Sequence, residues 1–508
     1  MTAPPVPAAP PAAPCGRRMA HRTKTGGILM SSPSRPARAG HRLGAVLLAG
    51  AVLCGASAAV AQDAPVVAAP ADPAALARPG ESEPLRAAIV ELLRKNPDIQ
   101  IALARQDDAR YAIGEARAAY LPRVDLSLAS GPEYVLPYQA TDNTMLRRSE
   151  GVLTLHQNIW DFGATINDVK RARAAFSSAE WNTREQIERI AFETTAAYLS
   201  LLEKQRTVEL IEEEIATQAK MSRTIQVQKD LGLTTAADVS RAQVRQDNLQ
   251  AQLLDAQSQL QQQREAYRRL TGHLPGRATD LPAVDTALPA DADAAVQMIE
   301  DHNPELAQAV QNRRSIERQL LSQKASFYPR IGLDAQANLR NEVMGRTGRN
   351  EDARVVVTLS YNILRGGADY ALMRRIEARV RESDYEVDRV RRNVEQDLRI
   401  DFQSLAAAND KMATIESQVA AAEKVVTLYR EQFRSGNRSV FDLLDTQQAL
   451  FQARLNRLTN YTQKQVSGLR VLQKLAGLFD FVSGGQPLTK YGREIVVPRP
   501  PARVGPNL

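Results

Sequence analysis

From Gly163 to Leu231 the chain has no proline and no glycine after Gly163 itself, and from Ala368 to Ser435 it has neither. Uninterrupted runs of near 70 residues predict helical rods of roughly 100 Å, far longer than a compact domain holds. Each run ends at one glycine, Gly232 or Gly436, and a shorter helical stretch of about 39 residues returns from it. Residues 84 to 120 supply a further helical stretch of about 37. Two short helices end to end match one rod, so the pattern predicts a bundle with each long helix flanked by a pair of half-length ones. Ile187, Ile190, Ala197, Leu201, Val208 and Ile211 supply a heptad-like seam.

The rods recur because the chain is duplicated. Asn96-Pro97 returns as Asn303-Pro304, and Tyr120-Leu121-Pro122-Arg123-Val124 as Phe327-Tyr328-Pro329-Arg330-Ile331, both at an offset of 207. Asn158-Ile159 with Gly163 matches Asn362-Ile363 with Gly367, and Gly232 with Asp238 matches Gly436 with Asp442, at 204. Leu270-Thr271-Gly272 matches Leu475-Ala476-Gly477 at 205. Five anchors in one order imply two homologous halves, residues 84–289 and 290–479.

Between the first helix and the rod of each half the period changes from helical to alternating. Ile331, Leu333, Ala335, Ala337 and Leu339 alternate with Arg330, Gly332, Asp334, Gln336 and Asn338. Val355, Val357, Leu359, Tyr361 and Ile363 alternate with Arg354, Val356, Thr358, Ser360 and Asn362. The first half reads alike, with Leu153, Leu155 and Ile159 against Thr154, His156 and Asn158. Strands are expected at about 122–134, 150–160, 329–340 and 353–364, each long enough to cross a tilted bilayer with one apolar and one wet face. Tyr134, Tyr138, Trp160, Phe162 and Tyr361 near the strand ends fit an interfacial aromatic belt. Alternation alone also fits a half-buried soluble sheet.

An open four-stranded sheet leaves unpaired backbone groups that hydrocarbon does not tolerate, so copies of the chain must close it. Two copies give eight strands and a filled interior; three give twelve and room for a channel. The wet faces, rich in Arg, Asp, Gln, Asn, Ser and Thr, suit a water-filled interior.

The formal charge of +7 suggests nucleic acid, but seven basic residues, Arg17, Arg18, Arg22, Lys24, Arg35, Arg38 and Arg42, all precede residue 62, where no acid occurs. The remainder carries 58 basic and 58 acidic residues and has no basic footprint. Residues 1–61 read as targeting: Arg35, Arg38 and Arg42 precede the apolar Leu43 to Cys54, and Ala59-Val60-Ala61 predicts cleavage before Gln62. The apolar part is short for a membrane anchor, and Met30 offers an alternative start. Cys15 and Cys54 fall in the removed part, leaving an exported chain without cysteine. Residues 62–83 read as a linker, and 480–508, with Gly484-Gly485, Pro498, Pro500 and Pro501, as an extended tail.

The duplicated plan, the YLPRV and FYPRI junctions, LSYNILRGG and FRSGNRSVFDLLDTQQALFQAR together resemble the TolC family of outer-membrane channel proteins over about residues 84 to 480. The resemblance implies an α+β membrane protein: long helical hairpins forming a periplasmic barrel, and four transmembrane strands per chain that make a twelve-stranded barrel in a homotrimer. It implies no enzyme activity and no cofactor. Its implied partners are outer-membrane lipid, a periplasmic adaptor (membrane fusion protein) and an inner-membrane transporter, ABC type or proton-driven pump. LRGG, AYRRLTGHLP and QFRSGNRSVFDLLD look nearest to the branch serving type I protein secretion, with drug efflux as the alternative.

In that family the hairpin tips close the periplasmic entrance. Matched position by position, Asp442 and Asp445 would be lumen carboxylates, Arg438 a latch and Asp238 its partner region on the first hairpin. The tips themselves, Gly232, Leu233, Thr234, Gly436, Asn437 and Ser439, would face the adaptor. Three copies of each Asp around a narrow axis would repel, bind cations and raise one another's pKa. Thr235-Ala236-Ala237-Asp238 and Ser439-Val440-Phe441-Asp442 also fit capping boxes, so the two carboxylates have a purely structural alternative that Asp445 lacks. The sequence departs from the family at Phe433, where a latching tyrosine is usual, and at Ala237, where a threonine is.

His156, His273 and His302 lie far apart with no companion at ligand spacing, and there is no phosphate-cradling glycine loop, nucleophile elbow or HExxH. A periplasmic adaptor or structural coiled coil remains the alternative from another class, and a hydrolase a third.

Overall fold

The computed structural model describes residues 94–135, 144–281, 284–344, 347–435 and 437–483, with Leu85, Ile89, Glu91, Thr489–Lys490 and Arg493–Glu494. The targeting region, the 62–83 linker, Tyr138, Gly436 and most of the tail lie outside the described residues.

Each half begins with a helix of 22 residues, α1 Pro97–Ala118 and its counterpart Pro304–Ala325. Proline at the first helical position disfavours a helical residue before it, so Asn96 and Asn303 are extended and cap the new helix. Asn96 accepts from the Asp98 N–H at 2.9 Å and Asn303 from the Leu306 N–H at 2.8 Å. The continuous helix expected over 84–120 is therefore broken at Asn96, after helical Arg94 and Lys95.

Four strands follow in two pairs, β1 Arg123–Val135 with β2 Thr144–Trp160, and β3 Arg330–Asn341 with β4 Arg349–Ser360. They form one antiparallel sheet ordered β1-β2-β3-β4. β2 starts at Thr144, earlier than expected, because its first residues pair with the far end of β1. β4 ends at Ser360, earlier than expected, so Tyr361 and Ile363 are outside it. Ser360 faces Arg330, the first residue of β3, and the preceding Pro329 has no N–H to extend the ladder. A register shift between Asn158 and Trp160 displaces Ile159 from the alternation.

One face carries Val124, Leu126, Leu153, Leu155, Leu333, Ala335, Val355 and Val357 in register, and Leu126, Val355 and Val357 are more than 60% exposed. Such a surface belongs in lipid. β1 and β4 each keep one edge unpaired within the chain.

The rods are α2 Ala164–Asp230 and its counterpart Ala368–Arg434, 67 residues each. Both start from a left-handed glycine, Gly163 at φ 90° and Gly367 at φ 80°, which turns the chain out of the sheet at no steric cost. From α2 the chain returns through α3 Ala236–Thr271, a 3₁₀ turn Val284–Ala287 and the short helices α4 Ala292–Gln297 and α5 Ile299–His302. Next come α6 (Pro304–Ala325) and α7 (Ala368–Arg434), and then the second return helix α8 Val440–Lys474. α2 packs against α1, α3, α6 and α8, and α7 against α6 and α8. The expected seam is present: Ile187, Ile190, Leu201, Val208 and Ile211 are buried and Ala197 packs beside them.

The tail expected to be extended from Asp480 begins instead as α9 Leu478–Ser483. Leu478, Phe479 and Val482 bury against the α2 core, which an extended strand could not achieve. Beneath them Arg184 and Glu188, both almost fully buried, form an ion pair at 2.7 Å. Arg184 also donates to the Ala476 carbonyl at 2.6 Å and reaches Asp480 at 3.2 Å, while Glu188 accepts from the Phe479 N–H at 3.1 Å. Burial pushes Glu188 up to about 7, against the pull of Arg184.

An acid whose pKa rises on folding contributes stability below its unfolded value and loses it as pH passes its folded value. The melting temperature of the parent minus that of Glu188→Gln is therefore expected to be largest near pH 4.5 and to fall by about pH 7; a constant difference by differential scanning fluorimetry would exclude this role. Arg184→Ala strands Glu188 and is expected to cost about 3–5 kcal/mol.

Candidate functional site

The far ends of the two hairpins meet. Ile225 and Ala242 of the first and Val440 and Leu444 of the second form one buried cluster, with Met221, Val239, Phe433 and Phe441 around it. A polar layer lies behind it. Gln447 donates to Glu214 at 3.0 Å across the hairpins, and burial raises the Glu214 pKa against the effect of Gln447.

At the first tip Gly232 has φ 72°, and the Leu233 N–H closes the turn on the Gln228 carbonyl at 2.8 Å. Leu233 is exposed. Thr235 caps α3 in a capping box with Asp238. Asp238 accepts from the Thr234 hydroxyl at 2.6 Å, the Thr235 N–H at 2.9 Å and the Thr235 hydroxyl at 2.8 Å. Those hydrogen bonds, Thr234 foremost, hold its carboxyl below the usual range rather than raising it.

The second tip has a different chemistry. The Asn437 N–H donates to the Gln432 carbonyl at 2.9 Å, closing the same kind of turn. Ser439 caps α8 through the Phe441 N–H at 3.2 Å, and Asp442 takes no part in a box. Asp442 instead faces Arg438 at 3.4 Å. Arg438 donates to the Tyr429 hydroxyl at 2.6 Å and lies over that ring at 4.1 Å. The expected Arg438 to Asp238 connection is not made within the chain, because Tyr429 and Asp442 hold the one and two threonines hold the other. Tyr429, one turn before Phe433, supplies the hydroxyl that Arg438 meets.

Two further arginines join the hairpins. Arg241 lies over the Phe441 ring at 4.7 Å, and Arg245 pairs with Asp445. Sequence reading passed over both, although the repeat offset of 204 contains a signal: Arg241 stands where the second half has Asp445.

At the other end, the polar face of the sheet is laced by hydrogen bonds between strands. His156 meets Asp334 at 2.6 Å, and Thr358 donates to the same carboxylate. Arg354 donates to Gln336 at 2.6 Å, Asn338 to Asp352 at 2.7 Å and Arg340 to Glu150 at 3.0 Å. Where the strands meet the helices, Phe162 stacks on Tyr328 and meets Trp160 edge-on. Among the described residues there is no cluster that would hold a metal ion.

A two-faced sheet with open edges, joined to hairpins of this length, defines a channel wall completed by copies of itself. The family model for outer membrane efflux proteins matches residues 88–273 and 295–478, one block in each half. The chain belongs to this family and is a TolC-family outer-membrane channel, not an enzyme. It is 27% identical to the alkaline protease secretion protein AprF of Pseudomonas aeruginosa, over 78% of this chain and 86% of that protein. It is 23% identical to the outer membrane efflux protein BepC of Brucella suis, over 73% and 80%. Among solved structures it resembles the outer-membrane channel OprN, with a TM-score of 0.70 at 17% identity over 82% of this chain and 98% of that one. It also resembles VceC from Vibrio cholerae, with a TM-score of 0.65 at 20% identity over 79% and 96%.

The protein thus sits in the outer membrane and reaches into the periplasm. Channels of this family are trimers that work with adaptor proteins and inner-membrane transporters, which sets aside a free-standing adaptor or coiled coil.

Leu444→Ala empties a site 2% exposed between the hairpins and is expected to cost about 2–5 kcal/mol locally. Hydrogen exchange should accelerate in both tips, around residues 228–236 and 437–446. Acceleration in the second tip alone would mean that the cluster does not couple them.

Proposed function

We propose that the protein is the exit duct of a type I secretion system, taking polypeptide from an ABC transporter through a periplasmic adaptor and closing its own periplasmic end when idle. The support for this branch is the secretion relative, matched along 86% of its length, together with LRGG and the QFRSGNRSVFDLLD turn. A second reading, small-molecule efflux with a proton-driven pump, draws on the efflux relative.

The observation that carries the gate is the tip chemistry. Asp442 and Asp445 are the lumen carboxylates, Arg438 on the second tip is the latch, and Asp238 shapes the first tip. The contacts between tips are a small apolar cluster and partly exposed ion pairs, and the ion pairs are each worth little alone. A gate needs such economy, since a difference of a few kcal/mol already sets the closed population. Gly232, Leu233, Thr234, Gly436, Asn437 and Ser439 form the surface offered to the adaptor, Gly436 lying outside the described residues.

In planar bilayers the parent should form a small, weakly cation-selective pore. Asp442→Asn should weaken its selectivity, and Arg438→Ser should raise its conductance. Well-folded protein that never inserts would overturn the channel gate. Deleting the gene separates the branches: loss of a protein from the culture medium with unchanged drug susceptibility supports secretion, and increased susceptibility with an intact set of secreted proteins supports efflux.

A further inference from the structure

We infer that Arg245 sets the ion selectivity of the periplasmic entrance by compensating the charge of Asp445, so that this gate is far less acidic than its carboxylates alone suggest. The inference rests on the lumen gate proposed above.

Arg245 projects from α3 of the first hairpin, and its guanidinium contacts the Asp445 carboxylate on α8 of the second. The Arg245 side chain is 34% exposed and that of Asp445 is 70% exposed. At that exposure an ion pair contributes about 0–1 kcal/mol to stability, so folding gives little reason for it. Its electrostatic effect is larger in proportion. A field reaches about 8 Å at physiological ionic strength, and a water-filled constriction surrounded by protein focuses it.

The rest of the tip follows the same rule. Asp442 has Arg438 at 3.4 Å. Asp238 is tied into its capping box, with Arg241 exerting an attractive charge on it. Three carboxylates, Asp238, Asp442 and Asp445, are thus matched by Arg241, Arg438 and Arg245. Arg245 also faces the buried Glu214, which lines the same cleft of about 200 Å³ with Gln218 and Asn248. It therefore bridges the Gln447–Glu214 layer and Asp445. Three copies of such a tip bring as many guanidiniums as carboxylates to the entrance. A polypeptide of either charge would meet little repulsion there.

The test is the reversal potential of the reconstituted trimer across a KCl gradient. Near 0.1 M salt, Arg245→Gln should raise the potassium-to-chloride permeability ratio about two- to fivefold, and the increase should disappear near 1 M, where screening shortens to about 3 Å. Arg245→Lys should keep the parent ratio because charge, not the forked geometry, is the cause. Arg245→Gln with Asp445→Asn should return close to the parent. If Arg245→Gln leaves the ratio unchanged while Asp442→Asn lowers it, the inference is overturned and the lumen gate stands. If neither variant moves the ratio, the gate reading falls and the inference with it. If Arg245→Lys behaves like Arg245→Gln, the residue is a structural clamp and the charge role is wrong.

Discussion

The backbone groups of four strands in hydrocarbon must all be hydrogen-bonded, and the chain cannot do that alone. β1 and β4 each present an unpaired edge, and unsatisfied N–H and C=O groups cost several kcal/mol each in lipid. Closure by neighbouring copies removes the edges, and in a family of trimers the closed barrel has twelve strands, wide enough for water. The polar network from His156 to Arg340 then lines the interior while Leu126, Val355 and Val357 face lipid. Because each strand pair leads straight into a rod through Gly163 or Gly367, barrel closure also arranges the hairpins around the same axis. The gate proposed at their tips would then follow from what the membrane imposes roughly 100 Å away.

Duplication turns that arrangement into a mechanism. Two similar hairpins packed through α2 and α8 would have no reason to differ, yet their tips do. The first ends in a self-contained cap, with Asp238 fully engaged by Thr234 and Thr235. The second ends in side chains directed at other elements: Arg438 at Tyr429, Asp445 at Arg245, Phe441 under Arg241. The first tip is held by its own local hydrogen bonds, and the second by contacts to side chains of other elements.

Much of this was legible in the sequence, and the exceptions have physical causes. The rods, the strand faces and the seam through Ile187, Ile190 and Leu201 depend on periodicity, which is local. The early end of β4 depends on where its partner begins, and so on Pro329 rather than on anything within β4. The helical start of the tail depends on Arg184 and Glu188, almost 300 residues away in the chain, which bond its backbone at Ala476 and Phe479. At the site, the carboxylates and Arg438 stood out by spacing. Arg245, Tyr429 and Glu214 did not, because each matters only through a residue of another element.

The charge pattern at the tips bears on what such a duct can carry. A ring of uncompensated carboxylates at a narrow entrance favours cations and repels acidic segments, and the cost rises as the site narrows and its dielectric falls. For small cationic compounds that is an advantage. An unfolded polypeptide presents both signs along its length, so any strongly charged entrance would hold or reject part of it. A tip in which Arg241, Arg245 and Arg438 offset Asp238, Asp442 and Asp445 avoids both failures. In the gate proposed here, such a balance of charge would suit passage of polypeptide better than efflux of small cations.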